Sequence, residues 1–168
     1  MTSAMDERGL VAEDLVLRLF EWKGKPLEKS TFEDDYRKDV DAYHESLGKV
    51  SIKSQSDKYI NFALEVRQHD SRDMEDWIQG WFEYGEADYY LFALRDDSNK
   101  GFIHTIYLIE KERLASWVKK SKIRDTTCWF AQKLNRGRKY DLPIVKLAPI
   151  EDIKKAGLIE KTFNRRKQ

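Results

Sequence analysis

The sequence lacks the several cysteines of a disulfide framework and the long apolar runs of a membrane span. It contains one cysteine, Cys128, among 168 residues, so no disulfide can form within the chain. Structural disulfides belong to oxidising compartments, and a single cysteine therefore predicts an intracellular, cytoplasmic protein. No run approaches the roughly 20 apolar residues of a membrane helix, and no apolar signal core accompanies the early Asp6 and Glu7. We expect neither a membrane partner nor a targeting segment.

The chain also lacks a strong charge of either sign, because its formal net charge is only +1. It is no polycation as a whole, so any attraction to nucleic acid must come from local patches. Aromatic residues make up 12% of the sequence, which argues against disorder because disordered chains lack such groups to bury. The length predicts one domain over 1–168, with a flexible basic tail from about 162 to 168.

Several familiar kinds of site find no support in the few histidines and glycines of the chain. His44, His69 and His104 show no metal-ligand spacing with Cys128, so we expect neither a zinc site nor a Cys–His nucleophile. No glycine-rich motif that cradles phosphates is present, which argues against a nucleotide hydrolase. Cys128 is expected to be a buried core residue.

Hydrophobic periodicity predicts an α/β protein in which one helix precedes a sheet and another follows it. Apolar residues recur at helical spacing in 10–22 and 110–122, and the polar stretch 30–38 is predicted to be a loop. Alternating residues predict five strands, over 39–45, 49–55, 59–68, 88–95 and 102–109. A short strand and a short helix complete the chain. The first three strands stand at hairpin spacing, which predicts an antiparallel meander.

Charged residues at matching places on those three strands indicate a phosphodiester-hydrolysing site. Asp39 and Asp41 share a face of the first strand, so either could bind metal. Lys53 lies on the polar face of the second strand, and Glu65 lies on that of the third. Carboxylates hold Mg²⁺, and a lysine stabilises charge that develops during hydrolysis. Half-exposed strands carry charges on their wet face in any case, so the spacing alone leaves both interpretations open.

An ordered series of segments resembles small phage-type and environmental proteins of the PD-(D/E)XK nuclease superfamily. The segments, between about Glu33 and Ile150, are EDDYRKDVDAY, GKVSIKSQ, NFALEV, WIQGWFEYGEADYYLFAL, YLIEKERLASWV and NRGRKYDLPIVKL. No single segment is diagnostic, and their order carries the resemblance. It implies a restriction-endonuclease-like mixed sheet flanked by helices. It further implies an endonuclease that uses Mg²⁺ or Mn²⁺ and acts on DNA, with branched or recombining DNA as one substrate class.

The resemblance also implies roles for individual residues. Asp41 matches the metal-binding aspartate of the motif, and Lys53 matches its lysine beside the attacking water. Glu65 matches an acidic position on the next strand and would be a further metal ligand. Glu13 stands where many members carry a glutamate on the leading helix, although Glu21 is an alternative. Many such nucleases are dimers, so a homodimer is compatible with the resemblance.

The sequence departs from the motif at Ser51, two positions before Lys53, where the family has its second acidic residue. A hydroxyl is a poorer ligand for Mg²⁺ than a carboxylate. Either Glu65 supplies the missing charge, or the site is weakened or inactive. A second alignment pairs Glu65 with Arg67, but arginine does not exchange a proton usefully, so Lys53 is preferred.

Basic residues outnumber acidic ones between 110 and 140, and Arg136, Arg138 and Lys139 surround a glycine there. Such a turn can hold nucleic-acid phosphates, and it can equally be a solvated loop. Some aromatic side chains could stack on bases, although such residues are more often core. They are Trp77, Trp81, Phe82, Tyr84, Tyr89 and Tyr90. Two rival functions remain: an inactive nuclease-fold module that binds nucleic acid, and a protein–protein interaction domain.

Overall fold

The computed structural model describes residues 4–69, 77–99, 102–128 and 143–165, and its fold is mixed α/β. The helices are α1 Ala4–Leu19, α2 Phe32–Lys38, α3 Trp81–Tyr84, α4 Lys111–Lys120 and α5 Ile150–Lys155. The strands are β1 Glu21–Trp22, β2 Lys25–Pro26, β3 Glu28–Lys29, β4 Ala42–His44, β5 Gly48–Ser56, β6 Asn61–His69, β7 Trp77–Gln79, β8 Tyr89–Asp96, β9 Phe102–Glu110, β10 Asp125–Thr127, β11 Ile144–Pro149 and β12 Ile159–Asn164.

The described strands other than β1 and β2 form two sheets. The larger sheet has the order β12-β9-β8-β5-β4-β3, and the smaller has the order β10-β11-β6-β7. Strands β5 and β8 run parallel, whereas the other neighbours in the larger sheet are antiparallel. The larger sheet is therefore mixed and flanked by helices, as expected for the fold class. Strands β1 and β2 form a separate short ladder.

The larger sheet is buried on both faces, and the alternation along β8 shows why. Tyr90, Phe92 and Leu94 pack with β6, α4 and α5 in one core cluster. Leu91 and Ala93, which point the opposite way, pack with α1 in a second cluster. A strand that is buried on both faces has a continuous apolar sequence, and β8 has such a sequence, YYLFAL, at residues 89–94. Helix α1 covers its face through Ala12 and Val16, and Phe20, the residue after the helix, continues the four-residue spacing.

The predicted antiparallel meander of three strands is wrong in its third member. Strands β4 and β5 do pair antiparallel, but β5 then pairs with β8 in a parallel register. Strand β6 belongs to the smaller sheet, between β11 and β7. Both edges of β5 are therefore occupied, and β6 instead buries Phe62, Leu64 and Val66 against the face of the larger sheet. Ile60 precedes β6 and is 78% exposed, so it does not share that buried face.

One other local prediction fails, and the predicted start of the flexible tail lies inside a strand. The stretch 30–38, predicted as a loop, contains α2, because Thr31 caps the helix and its hydroxyl accepts a hydrogen bond from the Asp34 N–H at 3.2 Å. The basic tail predicted from about 162 contains the end of β12, which pairs with β9 up to Asn164. Within the described ranges, no helix combines the length and apolarity needed to cross a membrane.

Candidate functional site

Asp39 and Asp41 lie side by side because the chain turns sharply between α2 and β4. Asp39 caps the C-terminus of α2 in the left-handed region, with φ 53° and ψ 46°, a conformation that aspartate tolerates better than most residues. The backbone of Asp41 is fixed by bonds from its N–H to the Val50 carbonyl, 2.9 Å, and from the Ser30 N–H to its carbonyl, 3.0 Å. Neither residue belongs to β4, so the prediction that they share a strand face is wrong, although their carboxylates do converge.

Ser51, the residue that replaces the motif acid, lies between those two aspartates. Its Oγ is 2.9 Å from Asp39 Oδ2 and 3.1 Å from Asp41 Oδ2, and the side chain is fully buried. A hydroxyl has one proton, so it donates to one carboxylate at a time. The Ile52 N–H also donates to Asp41 Oδ2. Ser51 therefore orients Asp39 or Asp41 at a position where an acidic residue would add a third negative charge beside these two.

Lys53 lies on the same side of β5 as Ser51, two residues further on. Its Nζ donates to Asp39 Oδ1 and lies 4.7 Å from the centroid of the Trp81 ring. The two charged side chains are only 20% and 10% exposed, so water screens their attraction weakly. Burial raises the pKa of Asp39, and the Lys53 ammonium opposes that rise. The lysine is thus held in place by a carboxylate on one side and an aromatic face on the other.

Glu65 lies close enough to Lys53 and Asp39 for their charges to act on it. Burial raises the pKa of Glu65, whereas the Trp81 backbone N–H and Lys53 lower it. The close approach of α3 requires Gly80, since a Cβ there would meet the Glu65 carbonyl oxygen at 2.5 Å. We call Asp39, Ser51, Lys53 and Glu65 the lysine group.

A second set of acidic residues, here called the carboxylate cluster, comes from three elements: Glu13 of α1, Asp35 of α2 and Asp41. One carboxylate oxygen from each lies within 4.8 Å of the others. Burial, followed by the charges of Asp41 and Asp35, raises the pKa of Glu13 to about 7. Burial and the neighbouring Asp41 raise the pKa of Asp35 to about 6. Among the described residues, no lysine or arginine forms an ion pair with these three.

The cluster has the composition and spacing to hold a hard divalent cation. Mg²⁺ binds oxygen at about 2.0–2.1 Å, so ligands on opposite sides of the ion lie roughly 4 Å apart. Three oxygens within 4.8 Å of one another reach that arrangement with a small inward shift. The pKa values of Glu13 and Asp35 are raised first by burial and then by the charge of Asp41, and a bound cation would favour the deprotonated carboxylates. The residues therefore fit Mg²⁺ or Mn²⁺.

Of the predicted site residues, Glu13 and Asp41 meet in the cluster. Asp39 and Lys53 form an ion pair beside it, and Glu65 lies within reach of their charges. The sequence analysis does not identify Asp35, because the polar stretch 30–38 predicts a loop rather than a helix. Thr31 followed three residues later by Asp34 is a helix N-terminal signal that would have placed Asp35 on a helix.

Other candidates from the sequence fall into three groups. Arg136, Arg138 and Lys139 lie outside the described residues. Phe82 and Tyr90 are core residues, and Trp81 packs against that core. Cys128 is buried, as predicted, in a small cluster with Val145.

His44 and Tyr84 have assignable surroundings. The Nδ1 of His44 accepts the N–H groups of Ser46 and Leu47 at 3.1 Å and 3.3 Å, so it stabilises the turn before β5. Tyr84 faces the acids: burial, then the charges of Asp39 and Glu65, raises its pKa to about 12. Tyr84 therefore keeps its proton and remains a hydrogen-bond donor next to the site.

Comparison with known proteins finds no matching family model, no similar curated protein and no similar solved structure.

Proposed function

We propose that this protein is a metal-dependent endonuclease that hydrolyses phosphodiester bonds of DNA. The observation that carries the proposal is the convergence of three carboxylates, Glu13, Asp35 and Asp41, next to a lysine that Asp39 holds in place. Phosphodiester hydrolysis needs a cation at the phosphate and a positive group near the attacking water. The resemblance to PD-(D/E)XK nucleases, with Asp41 and Lys53 in the motif positions, points to the same chemistry.

Glu13, Asp35 and Asp41 would hold Mg²⁺ or Mn²⁺. When bound, the ion would polarise a phosphate oxygen and lower the pKa of a coordinated water. Lys53 would orient the attacking water and stabilise negative charge on the phosphate, since its ammonium is already fixed by Asp39 and Trp81. In this proposal Asp39 and Glu65 position Lys53 rather than supply the first ligands.

Ser51 supports the specific rival in which the site binds nucleic acid without cutting it. The position lies beside both Asp39 and Asp41, and its hydroxyl replaces the second motif acid. Asp35, which the motif comparison did not include, offers a third carboxylate from α2 instead. We therefore expect Asp35 to make good the charge that Ser51 lacks, so that the enzyme is active.

The remaining features of the proposal concern the surroundings of the site. Arg136, Arg138 and Lys139, which lie outside the described residues, would grip phosphates of the nucleic acid. Branched or recombining DNA is the substrate class that the resemblance suggests, and a homodimer would cut two strands. A cytoplasmic location accords with a single, buried Cys128.

The test is cleavage of duplex, single-stranded and four-way-junction DNA with Mg²⁺ or Mn²⁺, each beside an EDTA control. The key variants are Lys53→Ala and Asp35→Asn, and the matched control is Lys49→Ala. Lys49 lies on the same strand, where it forms an exposed ion pair with Glu86 at 3.2 Å. We expect cutting that needs the metal, disappears with Lys53→Ala and Asp35→Asn, and survives Lys49→Ala.

Absence of cutting by the folded protein on every substrate would contradict the enzyme proposal. DNA binding by the protein with its native Ser51, in EDTA and in the Lys53→Ala variant, would then identify the inactive binding module. Cleavage gained only with Ser51→Asp would show that the serine inactivates the site. If the protein shows neither DNA binding nor a metal-dependent melting shift, the protein–protein interaction domain is the remaining hypothesis.

A further inference from the structure

Helix α2 exposes two aromatic rings on the same short element that carries Asp35. Phe32 is 82% exposed and Tyr36 is 69% exposed, and none of the residues of α2 is buried. The two rings lie nearly parallel, with centroids 5.8 Å apart and planes 10° apart. Two large aromatic side chains exposed side by side form a contiguous apolar patch, and such patches on protein surfaces are often functional.

The rings stand next to the carboxylate cluster because of helical spacing. Asp35 comes three residues after Phe32 and one before Tyr36, and residues three or four apart on a helix have Cβ atoms about 5–6 Å apart. A ligand that rests on the rings is therefore about one or two nucleotides from a phosphate held at the cluster.

The charges around the two rings favour a flat neutral group over a phosphate. Glu33 pairs with Arg37 at 3.2 Å, and Asp34 pairs with Lys38 at 2.8 Å. These pairs neutralise the cations of α2, so that no free positive group of the helix is left to attract phosphate. A nucleic-acid base has a neutral aromatic face, which stacks on phenyl and phenol rings without regard to sequence.

The size of the exposed pair argues against a second copy of the chain as its occupant. Two aromatic side chains contribute roughly 150–250 Å² each when they are buried. A stable protein–protein interface needs about 800 Å² on each partner. The ring pair alone therefore cannot hold a dimer together, whereas a single stacked base covers it.

We propose that Phe32 and Tyr36 form a stacking platform for an unpaired base of a nucleic-acid strand whose neighbouring phosphate lies at the carboxylate cluster. The inference rests on the proposed function of that cluster and names its substrate class: strands with unpaired bases, as in single-stranded segments, flaps, loops or branch points. A base inside a continuous duplex is stacked on its neighbours and must leave that stack before it can rest on a protein ring.

The experiment measures binding by fluorescence anisotropy in Ca²⁺, at one fixed salt concentration because phosphate contacts depend on salt. The probes are a labelled oligothymidine of about 12 nucleotides, the same backbone with abasic sites throughout, and a duplex of equal length. The variants are the double substitution Phe32→Leu with Tyr36→Leu, and Tyr36→Phe, which keeps the ring. The matched control is Ile60→Ala, which alters an equally exposed apolar residue outside α2.

We expect the double leucine variant to bind oligothymidine roughly tenfold more weakly than the wild type, since stacking of a base on an aromatic ring has about that effect. Its affinity for the abasic backbone should not change, and Tyr36→Phe and Ile60→Ala should behave as the wild type. Because both side chains are exposed, the melting temperature should stay the same. An equal loss on both probes, no loss, or no binding of oligothymidine by the wild type would overturn the platform.

Two further outcomes separate this inference from the proposed function. If metal-dependent cleavage is unaffected by the leucine substitutions on every substrate, the proposed nuclease function stands and the stacking platform is overturned. If the rings bind bases but the protein cleaves no substrate, the stacking platform stands and the protein is a binding module rather than a nuclease. A change of oligomeric state in the leucine variants, seen by size-exclusion chromatography without loss of oligothymidine binding, would assign the rings to a self-association surface and overturn the proposal.

Discussion

The two halves of the site contain similar acids but differ in how their charge is balanced. In the lysine group, the carboxylate of Asp39 faces the ammonium of Lys53, and Glu65 accepts a backbone N–H from Trp81. In the carboxylate cluster, Glu13, Asp35 and Asp41 face one another, and the pKa values of the first two rise to about 7 and about 6. Burial also raises the pKa values of Asp39 and Glu65, but there Lys53 and a backbone N–H oppose the rise, whereas no described lysine or arginine forms an ion pair with the cluster.

From this difference we infer that the lysine group stabilises the fold and that the carboxylate cluster depends on a ligand. A buried ion pair that is broken leaves an uncompensated charge, so changes in the lysine group should weaken the fold. Acids that repel one another already cost stability, so removing one of them should strengthen the fold while it weakens cation binding. Substitutions in the two halves should therefore have effects of opposite sign, and stability measurements can test this.

The largest expected effect on stability comes from Gly80→Ala, because the added methyl group would clash with the backbone of Glu65. The new Cβ would stand 2.5 Å from the Glu65 carbonyl oxygen and 2.6 Å from its carbon, and a backbone cannot move aside as a flexible side chain can. We expect a loss of about 3 kcal/mol in the free energy of unfolding. Urea denaturation followed by tryptophan fluorescence measures it.

The control for that substitution is Gly157→Ala, where φ is +69° and no atom lies within 4 Å of the added Cβ. Only the backbone conformation opposes alanine there, and the cost should be about 1 kcal/mol. Equal losses at the two glycines would show that the contact between Gly80 and Glu65 is not tight, and that the lysine group is less rigid than the geometry indicates.

Asp39→Asn should lower stability by about 2 kcal/mol, because it leaves Lys53 without its charged partner in a mostly buried place. The same change at Asp125, whose pair with Lys146 at 2.6 Å is more exposed, should cost less than about 1 kcal/mol. Thermal and urea denaturation in EDTA give both values. A stabilised Asp39→Asn variant would break the comparison, since Asp39 would then behave as a member of the repelling cluster.

Asp35→Asn should have the opposite sign, with a gain of roughly 1 kcal/mol at pH 7.5 in EDTA after allowance for solvent screening of this partly exposed group. The rise in melting temperature that Mg²⁺ gives to the wild type should shrink or vanish, because the cluster loses one of three carboxylates. Asp14→Asn alters an exposed residue of α1 and should leave the Mg²⁺ response intact. Loss of stability together with a full Mg²⁺ response would place the cation elsewhere.

The sequence predicted more of the site than of the topology that builds it. Alternation located β5 and the buried residues of β6, because the period of two does not depend on which strand lies alongside. It could not show that β8 rather than β6 pairs with β5, since that choice rests on long-range packing of Phe62 against Phe92, with ring centroids 4.1 Å apart. Lys53 and Glu65 still lie near enough for their charges to interact, across two sheets rather than within one.

Asp39 and Asp41 illustrate the same limit at shorter range. Their convergence was predicted from a shared strand face, but it comes from a left-handed residue at the end of α2. Asp35 was missed because the acidic stretch around it has no buried residue, so hydrophobic periodicity gave no helical signal there. The carboxylate cluster depends on where α1 and α2 end up in space, which no local pattern in the sequence encodes.

The pH dependence of stability tests the same comparison without breaking any contact, and its sign follows from the raised pKa values of the cluster. Glu13 and Asp35 bind protons more tightly in the folded protein than their ordinary values of 4.5 and 3.8 imply. Between about pH 4 and pH 7 the folded state therefore holds more protons than the unfolded state. Their contribution to stability is present in full below pH 4 and is lost as the pH rises to about 7.

Glu13→Gln removes the group with the larger shift and isolates its share of that dependence. In EDTA, the melting temperature of the wild type minus that of the variant should fall as the pH rises from about 4 to about 7, and level off above it. In saturating Mg²⁺ the fall should flatten or reverse, because metal binding requires the deprotonated carboxylates and releases their protons. A difference that rises with pH in EDTA would mean that Glu13 is compensated in the folded state, and the contrast between the two halves of the site would not hold.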